Sequence, residues 1–139
     1  MPIKYDLKPG TLLLCDYGDT GRAAEMVKRR PVVIVSPRLR HRQGLATVVP
    51  LSTTPPAAPQ AYHLALNLEP PLPSPFDAPD VWVKADMIAT VSFERLDLFR
   101  TARDQYGKRK YLQPRLSADQ LAALRRCVAH ALGLDGEGS

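Results

Sequence analysis

A chain of 139 residues with 45% hydrophobic side chains can form one domain with a real core, which excludes wholesale disorder. It has no apolar run near the ~20 residues that a membrane-spanning helix needs, and Met1 to Asp6 lack the apolar core of a signal peptide, so we expect a soluble cytoplasmic protein. The formal net charge of +5 and a pI near 9.5 favour a polyanionic partner, either nucleic acid or an acidic protein.

Short apolar runs separated by turns that contain Gly and Pro predict a mainly β chain. The most distinctive run is Val32–Val35, four consecutive β-branched residues, which is typical of a strand buried on both faces. Pro31 is expected to be the first residue of that strand. The predicted strands are Thr11–Tyr17, Pro31–Ser36, Leu45–Leu51, Ala61–Leu68, a β segment over Val81–Val91, and an edge strand over Tyr111–Leu116.

The segments between these strands are predicted to be turns and loops. Arg22–Arg29 reads as a loop or a short helical turn, and Ser92 can cap another short helical turn. Arg38–Gly44 and Arg100–Lys110 read as basic hairpin loops. The proline-rich segment Glu69–Pro79 cannot form a helix or an interior strand, so it is either an ordered surface loop or a partly mobile excursion.

The C-terminal part of the chain predicts one helix. Ser117 and Gln120 have the spacing of a capping box, and Gly133 ends the helix, which leaves 135–139 as a mobile tail. Five or more short strands with one terminal helix predict a single domain built on a small, strongly curved sheet or barrel, with the helix packed against it and a core over about 9–132.

The cysteine and histidine content argues against a disulfide and against a metal site. Cys15 lies in a predicted strand and Cys127 on a predicted helix face, so both are expected to be reduced core residues. Two cysteines and three scattered histidines do not form a zinc-ligand pattern. No metal and no cofactor are therefore expected.

Positive charge is concentrated in two segments. Between Lys28 and Arg42 there are six Lys or Arg residues and no acid, and between Arg100 and Arg115 there are six against Asp104 alone. Such segments can be a solvated basic face or a surface that binds the backbone of a nucleic acid. The candidate nucleic-acid-binding residues are Lys28, Arg29, Arg38, Arg40, Arg42, Lys108 and Arg109.

Polar groups at strand ends are candidates for chemistry. Ser52 and Thr53 end a predicted strand just before two prolines, where their hydroxyls can point at a ligand. Lys84 and Asp86 are two residues apart, so on a continuous strand they would share a face. Tyr17, Trp82 and Tyr106 could stack on unpaired bases, although a core position is the stronger expectation for Trp82.

Four of these segments, in this order, resemble the toxin family MazF/PemK/Kid of type II toxin–antitoxin modules. They are Gly10–Tyr17, the motif with Glu25 five residues before Arg30-Pro31-Val32-Val33-Ile34-Val35-Ser36-Pro37, Val48–Thr53, and Lys84–Val91. The resemblance runs from about Pro9 to Leu132. It implies an SH3-like barrel of five to seven antiparallel strands with a C-terminal helix, a homodimer, an acidic antitoxin partner, and a metal-independent endoribonuclease for single-stranded RNA.

The resemblance also implies roles for individual residues. The family's catalytic arginine falls on Arg30, and its catalytic threonine falls on Ser52, with Thr53 adjacent. An acid/base pair falls on Lys84 and Asp86, and Glu25 is the alternative base. Three departures stand out in this chain, which has Ser52 where the family has threonine, Lys84 where the family often has arginine, and Ala24 where one branch has histidine.

Two other functions are compatible with the same fold. A toxin-fold protein can bind DNA gyrase without cutting RNA, and an SH3-like module can bind nucleic acid or protein without catalysis. In either case Arg30 would be structural, for example as the ion-pair partner of Glu25.

Overall fold

The computed structural model describes residues 7–16, 29–37, 43–73, 75–103, 105–107 and 109–134, with the backbone alone at 101–103 and 109–110. In chain order the elements are β1 Leu12–Asp16, β2 Arg29–Ile34, β3 Leu45–Ser52, β4 His63–Asn67, β5 Asp80–Lys84, β6 Ala89–Ser92, a 3-10 helix Phe93–Arg95, β7 Leu96–Asp97, β8 Phe99–Arg103, β9 Arg109–Leu112 and α1 Ala118–Ala131.

Seven of the strands form one antiparallel sheet, in the order β4-β5-β3-β2-β1-β7, with β6 paired to the first half of β3. The strand β3 pairs with β6 through Leu45–Val48, with β2 through Val48–Pro50, and with β5 through Leu51 and Ser52. A strand with three successive partners must bend the sheet. The short connection from β6 through the 3-10 helix to β7 then joins the two sides of the curve, so the SH3-like topology is confirmed, although the barrel is open.

The core lies on both sides of the central strands. In β2, Val33 belongs to one buried cluster, with Val49, Phe99 and Leu124, while Val32 and Ile34 belong to the other. All three β2 residues are at most 1% exposed. The prediction that the β-branched run is buried on both faces is therefore confirmed, because alternate side chains enter alternate clusters.

The helix α1 begins and ends as the sequence predicts. The Ser117 hydroxyl accepts from the Gln120 N–H, and the Gln120 side chain accepts from the Ser117 N–H, which completes the capping box. At the other end Gly133 has a φ of 73°, and Leu134 N–H donates to the Ala129 carbonyl at 2.7 Å. This is the 6→1 bond of a Schellman motif. None of the helices in the described part of the chain is long and apolar enough to cross a membrane.

Three strand predictions need correction. The segment Val81–Val91 is two strands, because a turn over Ala85–Met87 follows Lys84. The predicted edge strand stops at Leu112, since Pro114 has no N–H to donate, and Arg115 makes only an isolated bridge to Thr11. Much of the predicted loop Arg100–Lys110 belongs to the β8–β9 hairpin, in which Gly107 takes a φ of 77°.

Pro31 is the third residue of β2 and not the first. The strand continues to Arg29 because β1 pairs with β2 as far as Asp16 opposite Arg29. The neighbour β3 pairs with β2 only from Val32 onward. At Pro31 the strand therefore has a partner along one edge only, which is a position where a missing N–H is tolerated.

Ser92 and the two cysteines lie where the sequence predicts, whereas Trp82 does not. Ser92 caps the 3-10 helix, and its hydroxyl accepts from the Glu94 N–H. Cys15 and Cys127 are buried and free, on a strand and on the helix as predicted. Trp82 is half-buried and belongs to neither core cluster, which contradicts its expected core position. The mobile-tail prediction for 135–139 falls outside the described residues, as do Tyr17 and most of Arg22–Arg29 and Arg38–Gly44.

Candidate active site

Arg29 and Arg30 lie at the open end of β2. Their backbones pair with Asp16 and Cys15 of β1, whereas the registered pairing of β2 with β3 covers only Val32 to Ile34. Both side chains are exposed. Among the described residues, no ion pair involves Arg30. The strand β2 thus holds two cations at the edge of the sheet. Its backbone there pairs with β1, and the buried side chains of Val32 and Val33 anchor the strand in the core.

The hydroxyl residues at the end of β3 are brought to the same place by register. Val32 pairs with Pro50 in the last registered pair of β2 and β3, and Arg30 and Ser52, each two residues beyond that pair, line the same cavity. The Ser52 hydroxyl accepts from Thr54 N–H at 3.1 Å and lies 3.4 Å from the Thr54 carbonyl. The second contact is too long for a strong O–H···O bond, so the Ser52 proton is available to a better acceptor.

These groups line one cavity of about 260 Å³, here called the Arg30 cleft. Its polar rim consists of Arg29, Arg30, Ser52, Thr53 and Thr54. No described residue that lines it carries a carboxylate. Arg30 and three hydroxyl residues line a space that admits an anion, together with Arg29, whose guanidinium also contacts Asp97 at 3.8 Å. A guanidinium presents its donors in a planar fork that fits phosphate oxygens.

The opposite wall of the Arg30 cleft is apolar. Leu51 and Val81 contribute from β3 and β5, and Leu72 and Phe76 contribute from the proline-rich segment. Leu72 is only 3% exposed, whereas Phe76 is half-buried. The sequence analysis did not single out these two residues. The available signal was a leucine and an aromatic residue isolated among prolines, where neither a strand nor a helix explains them.

Lys84 and Asp86 lie apart from this arrangement. Lys84 is the last residue of β5, Asp86 is an exposed residue of the following turn, and Met87 N–H donates to the Lys84 carbonyl to close that turn. The prediction that they share a strand face is wrong, because the strand ends between them. Neither residue lines the Arg30 cleft.

A second cavity, the Asp97 cleft of about 210 Å³, lies on the other side of Arg29. Its charged residues are Asp16, Arg29, Glu94, Arg95, Asp97 and Arg100. The Asp97 carboxylate contacts Arg100 at 3.2 Å and Arg29 at 3.8 Å, and it accepts from Leu98 N–H at 2.8 Å. The sequence analysis missed Arg95 and Asp97, since only the pairing of β7 with β1 brings them near Arg29.

Cys15 of β1 pairs through its backbone with Arg30 on one side and with Leu96 on the other, and its side chain belongs to a core cluster. It is 0% exposed. Burial raises the pKa of Cys15 to about 11, and the nearby Arg95 charge offsets part of that rise. The thiol is therefore protonated at neutral pH and serves packing, not nucleophilic chemistry.

The remaining predicted site residues lie in parts of the chain that the structure leaves undescribed. Glu25, Lys28, Arg38, Arg40, Arg42 and Lys108 are outside the described residues, and Arg109 is placed by its backbone in β9. Within the described ranges, no group of three or more His, Cys, Asp or Glu side chains could hold a metal ion.

Comparison with known proteins gives one family and one fold. Residues 8–132 match the family described as PemK-like, MazF-like toxin of type II toxin–antitoxin system. Among curated proteins, no sequence matches that of this chain.

Solved structures from two bacterial groups share the fold. An endoribonuclease in complex with its cognate antitoxin, from a mycobacterial species, superposes with a TM-score of 0.63 at 23% identity, covering 93% of this chain and 97% of that one. The Mycobacterium tuberculosis toxin MazF-mt6 gives 0.58 at 21% identity, with 92% and 99% covered. A MazE–MazF structure from Deinococcus radiodurans gives 0.56 at 20%, with 94% and 99% covered.

Proposed function

The chain belongs to the PemK-like, MazF-like toxins of type II toxin–antitoxin systems, and from this we propose that it is an endoribonuclease that cuts single-stranded RNA without a metal ion. The observation that carries the proposal is the Arg30 cleft, in which the Arg30 guanidinium and the hydroxyls of Ser52 and Thr53 line one cavity without a described carboxylate. Cutting mRNA would stop translation, and this would account for the toxicity of such a protein. The structural relatives include proteins named endoribonucleases.

RNA can be cut by its own 2′-OH, which attacks the neighbouring phosphorus while the bond to the 5′ oxygen breaks. The reaction then needs a base for the 2′-OH, positive charge for the phosphorane, and a proton for the leaving oxygen. In our proposal Arg30 stabilises the phosphorane, since a guanidinium stays charged and is a poor proton donor. Ser52 and Thr53 donate hydrogen bonds to the same phosphate.

The candidate base and acid for this reaction are not among the described residues that line the Arg30 cleft. Asp86 and Glu25 are the two candidate bases, and Lys84 is the candidate acid or a second positive contact to the phosphate. Asp86 lies in the turn after β5 and outside the lining of the Arg30 cleft. It can act as the base only where bound RNA extends from the cleft to that turn, or where a second subunit brings its own copy of the turn to the cleft. We propose these roles for Lys84, Asp86 and Glu25 on the family pattern.

The remaining proposals concern partners and context. We propose that Lys28, Arg29, Arg38, Arg40, Arg42, Lys108 and Arg109 contact the RNA backbone. We also propose that residues 1–139 are a single toxin domain, that the toxin acts as a homodimer, and that an acidic antitoxin neutralises it. The relatives include a toxin bound to its cognate antitoxin. Since mRNA is translated in the cytoplasm, we place the activity there.

The test is incubation of the purified chain with a long single-stranded RNA in EDTA, followed by mapping of the new 5′ ends. We expect cuts at discrete sites and 2′,3′-cyclic phosphate on the upstream fragments, because the 2′-OH is the nucleophile. An Arg30→Ala preparation, purified in the same way, controls for contaminating nuclease. Intact RNA after incubation with folded wild-type protein would overturn the nuclease and favour a toxin that acts by binding, for example to DNA gyrase.

A further inference from the structure

The proline-rich segment Glu69–Pro79 forms a wall of the Arg30 cleft. We propose that Phe76 stacks against a base of the RNA, on a nucleotide that flanks the scissile phosphate, and that this contact helps to select the cleavage sequence. The proposal rests on the RNA substrate of the proposed function and names a residue for its base recognition.

The segment is anchored to the sheet at both ends. Leu68 N–H donates to the Pro79 carbonyl at 2.8 Å, and the Asn67 side-chain amide donates to the Asp80 carboxylate at 2.9 Å. These two bonds close the base of the loop on the paired strands β4 and β5. Between them, the Leu72 side chain enters the main core cluster. The loop is therefore attached at three places and is not a free excursion.

Phe76 is positioned by contacts on the core side. Its N–H donates to the Pro73 carbonyl at 2.9 Å, and its ring meets the Phe99 ring edge to face, with centroids 6.2 Å apart and planes at 74°. Phe99 is 1% exposed, whereas Phe76 is half-buried. One part of the Phe76 ring is thus held against the core, and the remainder is available to the cleft.

The contents of the cleft suit a nucleotide. Arg30 and Ser52 provide donors for a phosphate, and Leu51, Leu72, Phe76 and Val81 provide an apolar surface in the same cavity. The volume of about 260 Å³ far exceeds the ~10–15 Å³ that holds one water, so a planar ring can enter. A site with donors for an anion beside an aromatic ring complements single-stranded nucleic acid, since every nucleotide carries a charged phosphate and a flat base.

The prolines contribute rigidity. Each proline ring fixes φ, which reduces the conformational freedom that the loop must lose when RNA binds. A rigid loop holds Phe76 at one distance from Arg30, so purine and pyrimidine bases, which differ in size, fit between them unequally. A flexible loop would adapt to any base, and this is why we assign the segment a part in sequence selection and not in affinity alone.

The experiment separates binding from cleavage. The probe is a short single-stranded oligonucleotide of the mapped cleavage sequence, or of mixed sequence if wild type cuts nothing. It carries 2′-deoxyribose throughout, so that no 2′-OH can attack, and 2-aminopurine replaces one base at a time. We expect Phe76→Ala to weaken binding roughly tenfold to hundredfold and to abolish the fluorescence quenching of 2-aminopurine at one position beside the scissile phosphate.

Two further variants control for packing. Phe76→Trp keeps a stacking ring and should retain binding, whereas Phe76→Leu keeps apolar volume without a ring and should behave like Phe76→Ala, which decides the matter if the alanine variant unfolds. Phe93→Ala removes a half-buried ring of the other core cluster and should bind the probe as wild type does.

The outcomes distinguish the two proposals. Binding by Phe76→Ala within twofold of wild type, with quenching unchanged, would overturn the stacking contact even if the enzyme cuts RNA. Probe binding that depends on Phe76, with long RNA left intact, would overturn the nuclease and keep the stacking contact. A wild-type chain that neither binds nor cuts would overturn both.

Discussion

The Arg30 cleft and the Asp97 cleft lie on either side of Arg29, and they differ in how their arginines are balanced. In the Asp97 cleft, Asp97 contacts Arg29 and Arg100, and Arg95 reaches toward the Asp16 carbonyl at 3.5 Å. In the Arg30 cleft, no carboxylate lies among the described lining residues.

This difference indicates which arginines serve structure and which can serve a ligand. A guanidinium that already contacts a carboxylate must give up that contact before it can bind a phosphate, which lowers its net contribution to binding. Arg29 lines both clefts and contacts Asp97 at 3.8 Å, whereas Arg30 has no carboxylate to give up among the described residues. Both clefts are rich in arginine, so composition alone would assign them the same role. The positions of Asp97 and Ser52 separate them.

The largest expected effect is on Arg30. We predict that Arg30→Ala lowers the rate of RNA cleavage by at least about 100- to 1000-fold, because one donor to a developing charge is typically worth that much. Arg100→Ala is the matched control from the Asp97 cleft and should lower the rate by less than about tenfold, since Arg100 is paired with Asp97. Single-turnover cleavage of a short RNA measures both. Equal losses in the two folded variants would remove the distinction between the clefts.

Ser52 should matter next. Ser52→Ala removes one hydroxyl donor to the charged phosphate and leaves the Arg30 guanidinium in place, and one hydrogen bond to a charged group is worth a loss of roughly tenfold to hundredfold. Ser52→Thr keeps the hydroxyl and should stay near the wild-type rate. The same single-turnover assay applies. Full activity in Ser52→Ala would leave the phosphate contact to Thr53 and Arg30 alone.

Asp97 offers a way to make the two clefts alike. Asp97→Asn removes the negative charge between Arg29 and Arg100 but keeps an acceptor for Leu98 N–H. We expect the free energy of unfolding to fall by about 1 kcal/mol, as measured by urea denaturation. RNA binding should become more dependent on salt, by about 0.7 in the slope of log K against log salt for each phosphate newly contacted.

Glu94→Gln, at an exposed acid of the same cleft, is the control for Asp97→Asn. It removes the same formal charge without removing a described ion pair, so it should change stability by less than the Asp97 variant. A Glu94 variant with the larger loss would mean that Asp97 does not hold the arginines of its cleft.

The smallest expected effect concerns the buried thiol of Cys15. Its thiol has a pKa of about 11 in the folded chain against an ordinary value of 9.0. The unfolded chain therefore loses this proton first, and stability is unaffected below pH 9 and falls as the pH rises toward 11. For this group we expect a loss of about 1 kcal/mol between pH 9 and pH 10.

Comparison of wild type with Cys15→Ala isolates that contribution. The variant loses stability at every pH, because a buried sulfur is removed, but its decline above pH 9 should be shallower than that of wild type. Denaturation at several pH values gives the two profiles. Parallel profiles would show that ionisation of the Cys15 thiol does not contribute to the pH dependence of the unfolding free energy.

Much of the fold could be predicted because local chemistry and burial agree. The run Val32–Val35 is apolar at every position, and only a strand covered on both faces accommodates it. Ser117, Gln120 and Gly133 mark the limits of α1 through bonds within a few residues of each other. The order of four motifs along the chain was sufficient to indicate the family. These signals are local or linear, so no knowledge of tertiary contacts was needed.

The errors share a different cause. Lys84 and Asp86 have strand spacing, but β5 ends at Lys84 and a turn follows it, and periodicity cannot detect where a neighbouring strand stops pairing. Pro31 was expected to begin β2, yet pairing with β1 continues the strand for two more residues. The position of a strand end depends on its partners, which are distant in the sequence.

The sequence by itself determined the mainly β fold, the capped terminal helix, the family, and the presence of Arg30 beside a buried strand. Only the tertiary structure decided what surrounds Arg30. The pairing of β3 with β2 brings Ser52 and Arg30 to one cleft, and the core contact of Leu72 holds the proline-rich segment beside it. Each of these contacts joins residues far apart in the chain, and contacts of that kind are set by packing and pairing, not by local pattern.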